Sequence, residues 1–264
     1  MREPELRQHL VEICHRLYRQ GMIAAGDGNV SARMDDGERV LVTPTGFHKG
    51  FIRESELVIC DLHGKLLRGA NKPSSEFLMH ELVYAERPEM GAVVHAHPPI
   101  TVGLALAGVT LAQCVLSETC LVLGAILTAP YSTPTTHEVP RILQPYVRQS
   151  NAVVMDRHGA LTYGRDLDEA YNRMEAMEHA AKITHAARVI GPVAPLPPRE
   201  VDKLQRLARE LGIPRAPDPC TLCNACPNGS GGPLGPLGTP GEPPLGSADD
   251  AVVDSVLRKL RGEA

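Results

Sequence analysis

Leu6, Leu10, Ile13 and Leu17 recur at helical spacing across residues 4–20 and stop at Gly21, so the chain opens with an amphipathic helix. From Asn29 to Val42 the pattern shortens to strand-like runs around Asp35-Asp36-Gly37, and Leu57–Asp61 runs through His63-Gly64 into Lys65–Leu67. Both read as hairpins and imply antiparallel sheet. Ser74 or Ser75 can cap a helix running to about Glu86, and Ala92–His97 reads as a strand halted by Pro98-Pro99, where the next helix can begin. Residues 111–129 are mostly apolar and are read as strand. A helix follows at Val139, Ile142, Leu143, Tyr146 and Val147, then a strand-turn-strand over Ala152–Tyr163 centred on His158-Gly159. Asp166 opens a long helix over Leu167–Val189, and Val201, Leu204, Leu207 and Leu211 mark one more before Gly212.

The pattern predicts a folded body over residues 1–213. Between 214 and 246 about half of the residues are Pro or Gly without a strict period, a composition expected of a flexible linker. Residues 247–264 carry an apolar stripe, Val252, Val253, Val256, Leu257 and Leu260, which predicts a short terminal amphipathic helix.

Composition narrows the function. With 264 residues, 43% of them hydrophobic, the chain can bury a proper core. A formal net charge of -4 gives no basic footprint for nucleic acid or an anionic membrane surface, and with 3% aromatics and no Trp a base-stacking platform is not expected. No stretch approaches the roughly 18 apolar residues of a membrane span, and the start lacks a secretory core, so a cytoplasmic protein is expected. Seven cysteines, three of them clustered as Cys220-x-x-Cys223-x-x-Cys226, make a poor disulfide framework; the cluster has thiolate-ligand spacing but no fourth ligand nearby.

The chemistry concentrates in a few places. In Val93-Val94-His95-Ala96-His97, strand alternation puts both imidazoles on one face, a geometry that chelates one metal ion, although a lone His-x-His also suits strand-end histidines bonded to backbone or water. His158 follows a second apolar strand, and Gly159 would allow a tight turn aiming its ring into a cleft. Three imidazoles plus an open position describe a catalytic rather than a structural zinc site. Glu76, in Lys72-Pro73-Ser74-Ser75-Glu76, stands at a helix start that attracts anions; it is either a dipole-favoured acid or an acid/base beside the metal, with Ser74 and Ser75 binding a phosphate. The glycine-rich turns at Gly26–Ser31 and Thr43–Gly46 can join that site.

Taken together, Gly28-Asn29-Val30-Ser31, Thr43-Pro44-Thr45-Gly46, Lys72-Pro73-Ser74-Ser75-Glu76, Val93-Val94-His95-Ala96-His97, Ala129-Pro130-Tyr131 and His158-Gly159, in that order, resemble the class II aldolase/adducin family over roughly residues 5–190, and most of all its fuculose-phosphate aldolase branch. The resemblance implies an α/β fold, a three-layer α/β/α sandwich around a mainly antiparallel central sheet, commonly as a homotetramer with active sites between subunits. It implies His95, His97 and His158 as ligands of Zn2+ (or Mn2+, Co2+, Fe2+), Glu76 as acid/base, and Asn29, Thr45, Gly46, Ser74 and Ser75 as phosphate-binding positions. The implied reaction is cleavage of a phosphorylated ketose or deoxyketose to dihydroxyacetone phosphate and an aldehyde through a metal-stabilised enediolate. Two departures stand out. Where the branch has a tyrosine before Ala-Pro-Tyr this chain reads Cys114-Val115-Leu116-Ser117-Glu118, and no tyrosine follows Tyr171. Glu118 is then either a surface carboxylate or a second acid/base from a neighbouring subunit, as in related methylthioribulose-phosphate dehydratases. A sugar-phosphate dehydratase or epimerase on the same scaffold is the rival enzyme reading, and a non-catalytic adducin-like assembly module the rival of another class.

Overall fold

The computed structural model describes residues 2–213; the linker, the cysteine cluster and the terminal helix expected beyond them lie outside the described residues. Seven α-helices are present among these residues: α1 Glu3–Arg19, α2 Phe77–Glu86, α3 Pro99–Leu106, α4 Ser117–Val122, α5 Glu138–Gln149, α6 Leu167–Ile190 and α7 Pro198–Glu210. The strands are β1 Asn29–Arg33, β2 Arg39–Val42, β3 Val58–Asp61, β4 Leu66–Arg68, β5 Ala92–Ala96, β6 Leu127–Ala129, β7 Ala152–Met155 and β8 Gly159–Gly164. They form one sheet in the order β4-β3-β2-β1-β5-β8-β7-β6. Every neighbouring pair is antiparallel except β6 and β7. Both predicted hairpins and the strand-turn-strand after Ala152 are therefore found.

Strand alternation divides the core in two. Val30, Ala32, Ala92, Val94, Ala96, Val154 and Ala160 face α1, α3 and α6, meeting Leu10, Leu17, Leu104, Met174 and Met177. Val40, Val42, Val93, Val153, Leu161 and Tyr163 face α2 and α5, meeting Phe77, Val83, Leu143 and Val147. A sheet covered on both faces needs apolar side chains at consecutive positions, which explains why Ala92–Val94 of β5 and the whole of β7 read as apolar runs. The three-layer α/β/α arrangement follows directly.

Three local expectations are corrected. The stretch 111–129 is not all strand: Ser117–Val122 forms α4, and only Leu127–Ala129 joins the sheet. At six residues α4 is too short to leave a periodic signature. Neither serine caps α2; Glu76 occupies the N-cap position without a side-chain capping bond, while Ser74 accepts the Glu76 N–H at Oγ and the Phe77 N–H at its carbonyl. Gly159 is not the left-handed turn residue; Arg157 holds that position at φ 56°, and Gly159 is needed for a different reason described below. Asp166 does cap α6 as its sequence predicts, accepting from the Glu169 N–H at 2.8 Å.

Candidate active site

The centre of the sheet carries the histidines. β5 is flanked by β1 and β8, with Asn29 opposite His95 on one side and Leu161 opposite it on the other. His97 lies one residue beyond β5, held by its N–H donating to the Met22 carbonyl at 2.8 Å, and Pro98 prevents the strand from continuing. His158 closes the turn between β7 and β8, its N–H donating to the Met155 carbonyl at 3.2 Å. The three rings converge with centroids 4.9 to 5.3 Å apart. Each offers one ring nitrogen to a group whose atoms all lie within 4.8 Å of one another, so the cluster can hold a metal ion.

The convergence requires Gly159. A Cβ there would stand 2.6 Å from the Ala96 carbonyl oxygen, 2.6 Å from His97 Cδ2 and 2.9 Å from His95 Cε1. Only a glycine lets β8 pass this close to the two rings. Gly28 has the same duty on the opposite side, where its φ is 68° and a Cβ would meet the His95 carbonyl at 2.8 Å.

Hydrogen bonds orient the rings. The His95 Nδ1–H donates to the Ala160 carbonyl (3.0 Å), which fixes the tautomer and turns the Nε2 lone pair toward the cluster. His97 Nε2 lies 3.1 Å from His95 Nε2, and its Nδ1 lies 3.6 Å from Asp27 Oδ2. His158 Nε2 lies 3.1 Å from Glu76 Oε1, and Glu76 Oε2 is 3.5 Å from His95 Nε2. The carboxylate of Glu76 thus faces the same point as the imidazoles.

Electrostatics match this arrangement. Burial pushes the His95 imidazole down to about 3 and lowers His97, so both are neutral near pH 7, the state that ligates a cation. Burial pushes the Glu76 carboxyl up, but the His158 hydrogen bond and the adjacent His95 outweigh it and bring it down to about 2. Glu76 is a carboxylate at neutral pH. Burial also brings His80 down to about 3. Between pH 3 and 6.5 the unfolded chain therefore binds protons at two imidazoles that the folded chain leaves neutral, and below 4.5 the Glu76 carboxyl adds to this in the same sense. The unfolded state binds more protons, so stability rises with pH across this window and falls on acidification. The metal-free protein is expected to lose about 1.4 kcal/mol of unfolding free energy per pH unit per imidazole on going from pH 6 to 4. Denaturant midpoints across that range check this; a flat profile contradicts it.

The expected phosphate positions gather beside Glu76. The Thr43–Gly46 turn and the Lys72–Ser75 segment are laced together by Thr45 N–H donating to the Lys72 carbonyl (3.1 Å) and Ser74 N–H donating to the Thr43 carbonyl (3.2 Å). The Thr45 hydroxyl donates to Ser75 Oγ at 3.4 Å, both residues being exposed, and Gly46 takes φ 76°. Asn29 Nδ2 donates to Glu76 Oε2 at 2.9 Å. Asn29, Thr45, Gly46, Ser74, Ser75 and Glu76 thus share one locale. Glu118 is not brought to it within one chain: it is exposed on the first turn of α4, which packs against α6 and α7.

Three further residues have a part in this site: Asp27 lies within the glycine-rich turn expected to join it, whereas Lys49 and His80 carry no signal in the sequence. Asp27 faces His97, and the buried Lys49 donates to the Gly26 carbonyl at 2.5 Å beneath the glycine-rich turn. The third is His80, fully buried on α2 behind Asn29.

Comparison with known proteins agrees with the fold and the residue pattern. The profile of the Class II Aldolase and Adducin N-terminal domain matches residues 8–185. An L-fuculose phosphate aldolase of Methanococcus maripaludis is 31% identical over 177 residues, covering 67% of this chain and 94% of that protein. A 3-oxo-tetronate 4-phosphate decarboxylase of Haemophilus influenzae is also 31% identical, over 181 residues, covering 67% and 85%. Among solved structures, an L-fuculose 1-phosphate aldolase superposes with a TM-score of 0.73 at 26% identity, covering 80% of this chain and 98% of that one. By its sequence and by its three-layer architecture, the chain belongs to the class II aldolase and adducin family.

Proposed function

We propose that the protein is a divalent-metal-dependent aldolase that cleaves a phosphorylated ketose or deoxyketose to dihydroxyacetone phosphate and an aldehyde. The observation that carries this reading is the convergence of three imidazoles with the Glu76 carboxylate, next to a rim of hydroxyl and amide groups suited to a phosphate. Three imidazole nitrogen donors fit a borderline cation such as Zn2+, and Mn2+, Co2+ and Fe2+ accept the same set. His95, His97 and His158 would hold it, and when bound it supplies Lewis-acid chemistry toward substrate oxygens.

The chain's own groups do the rest. Ser74, Ser75, Thr45, Gly46 and Asn29 bind the phosphate and so set which carbons lie beside Glu76. The carbon–carbon bond breaks as the hydroxyl on the departing carbon loses its proton, and the electron pair stays with the phosphate-bearing fragment. Glu76, ionised at the outset, takes up that proton and returns it to the carbon that has gained the electron pair. Exposed Glu118 is available to a neighbouring subunit's site in a homotetramer, where a second carboxylate would replace the tyrosine that this chain lacks.

The decarboxylase relative makes a second outcome concrete, because loss of carbon dioxide leaves the same kind of electron pair on a phosphate-bearing fragment. Purified protein is to be given several ketose 1-phosphates and a 3-oxo acid phosphate. Release of dihydroxyacetone phosphate supports the aldolase; carbon dioxide from the acid, loss of water, or epimerisation without cleavage replaces it with the corresponding enzyme. Stripping divalent metal with a chelator is expected to abolish turnover and add-back of Zn2+, Mn2+, Co2+ or Fe2+ to restore it. Absence of both bound metal and turnover leaves the adducin-like assembly module.

A further inference from the structure

A chain of buried side chains leads from α2 through β1 to the acid/base. Tyr84 OH lies 2.7 Å from Ser31 Oγ, Ser31 Oγ lies 2.6 Å from His80 Nδ1, His80 Nε2 is hydrogen-bonded to Asn29 Oδ1, and Asn29 Nδ2 donates to Glu76 Oε2 at 2.9 Å. Ser31 and His80 are fully buried, Asn29 and Tyr84 nearly so. Every polar atom in it has a partner, which is what a buried network requires in order to specify one arrangement.

Its direction is fixed from one end. The carboxylate of Glu76 only accepts, so Asn29 must present its NH2 there and its carbonyl to His80. His80 then has to donate through Nε2–H, which leaves Nδ1 to accept from the Ser31 hydroxyl. Ser31 Oγ in turn accepts from Tyr84. A neutral imidazole is needed for this, and burial keeps His80 neutral. With the ring in the other tautomer, Asn29 would have to turn its carbonyl oxygen toward Glu76, setting two acceptors against each other.

We propose that His80 is a positioning residue: as the neutral Nε2–H tautomer, oriented by Ser31 and Tyr84, it locks the amide of Asn29 so that Asn29 holds the Glu76 carboxylate in its working orientation. His80 touches neither substrate nor cation and acts through Asn29. The chain also links the two functions of the site, since the amide that orients the acid/base is one of the phosphate-binding positions. The kinetic part of this inference rests on the reading of Glu76 as acid/base; the tautomer does not.

The test has two parts. In 15N-histidine-labelled protein, with the His80 signal assigned by its absence in His80→Gln, the ring is expected as a single neutral Nε2–H tautomer. The Nδ1–H tautomer, or a mixture of the two, overturns the proposal whatever the protein catalyses. In kinetics, His80→Phe keeps the ring shape and removes both nitrogens, and is expected to lower kcat about 10- to 100-fold with KM and metal content near wild type. His80→Gln offers an amide N–H toward Asn29 and an acceptor toward Ser31, and is expected to recover most of that loss. Ser31→Ala, which breaks the chain one link further out, is expected to lower kcat in the same sense, so the proposal can be judged even if His80→Phe folds poorly. Equal losses in His80→Phe and His80→Gln, or wild-type kcat in His80→Phe and Ser31→Ala, overturn it. Glu76→Gln is run alongside: wild-type kcat there refutes the acid/base reading, whereas a loss there with none in His80→Phe refutes only the positioning role.

Discussion

Glu76→Gln is expected to lower kcat about 10²- to 10⁴-fold, the range a positioned proton-transfer group contributes, while metal content and KM stay near wild type. The substitution keeps the side-chain volume and leaves an oxygen to accept from Asn29 Nδ2, so the geometry around β1 and α2 has no cause to change. What disappears is a group that is ionised at neutral pH and able to take up a proton. The three imidazoles remain, and a metal site needs only these three protein ligands to stay competent. Losing an interaction made only in the transition state lowers kcat and kcat/KM together, and that is the pattern expected here. The half-reaction gives a sharper readout. Wild-type protein given dihydroxyacetone phosphate in D2O should exchange a carbon-bound hydrogen for deuterium, and Glu76→Gln should not. Exchange at the wild-type rate in a fully metallated variant would remove Glu76 from the proton-transfer role.

Much of this site could be read in the sequence because short-range rules control it. Period-two alternation puts His95 and His97 on one side of β5, and Pro98 ends the strand where the second ring must enter the cleft. The Asn29 and Ser74-Ser75-Glu76 segments were found because glycine turns and a helix start are written locally. Other parts depend on packing between distant segments. His80 sits in Phe77-Leu78-Met79-His80, where nothing in the local spacing separates a buried, doubly bonded imidazole from a solvated one; its role comes from β1 passing beneath α2. Lys49 is likewise placed by the long path of the chain between β1 and α2. The apolar run at 111–129 failed for the opposite reason, since a covered surface makes short helix and short strand look alike. Glu118 shows the limit of a single chain: its exposure is what a role at a neighbouring subunit requires, and is equally what a surface carboxylate shows.

Gly159→Ala should test the three-histidine cluster most directly, because one methyl group would contact two of its three members. The Cβ would press on His97 Cδ2, His95 Cε1 and the Ala96 carbonyl oxygen at 2.6, 2.9 and 2.6 Å. The carbonyl cannot yield cheaply, since Ala96 is paired with Ala160 in the ladder between β5 and β8. The rings cannot yield without losing the Ala160 bond to His95 or the approach of His97 to Asp27. Overpacking of this kind costs about 1–3 kcal/mol of stability. The larger effect should fall on function, because displacing reacting groups by about 1 Å costs on the order of 10²-fold in rate. Metal affinity, measured by competition with a chelator, should weaken in parallel. Gly103→Ala in α3 is the matched control: a Cβ there meets nothing within 4 Å, and exchanging a helical glycine for alanine is worth up to about 1 kcal/mol of added stability. If Gly159→Ala binds metal and turns over like Gly103→Ala, then the imidazoles do not need β8 at this distance, and the cluster is not the site at which the cation works.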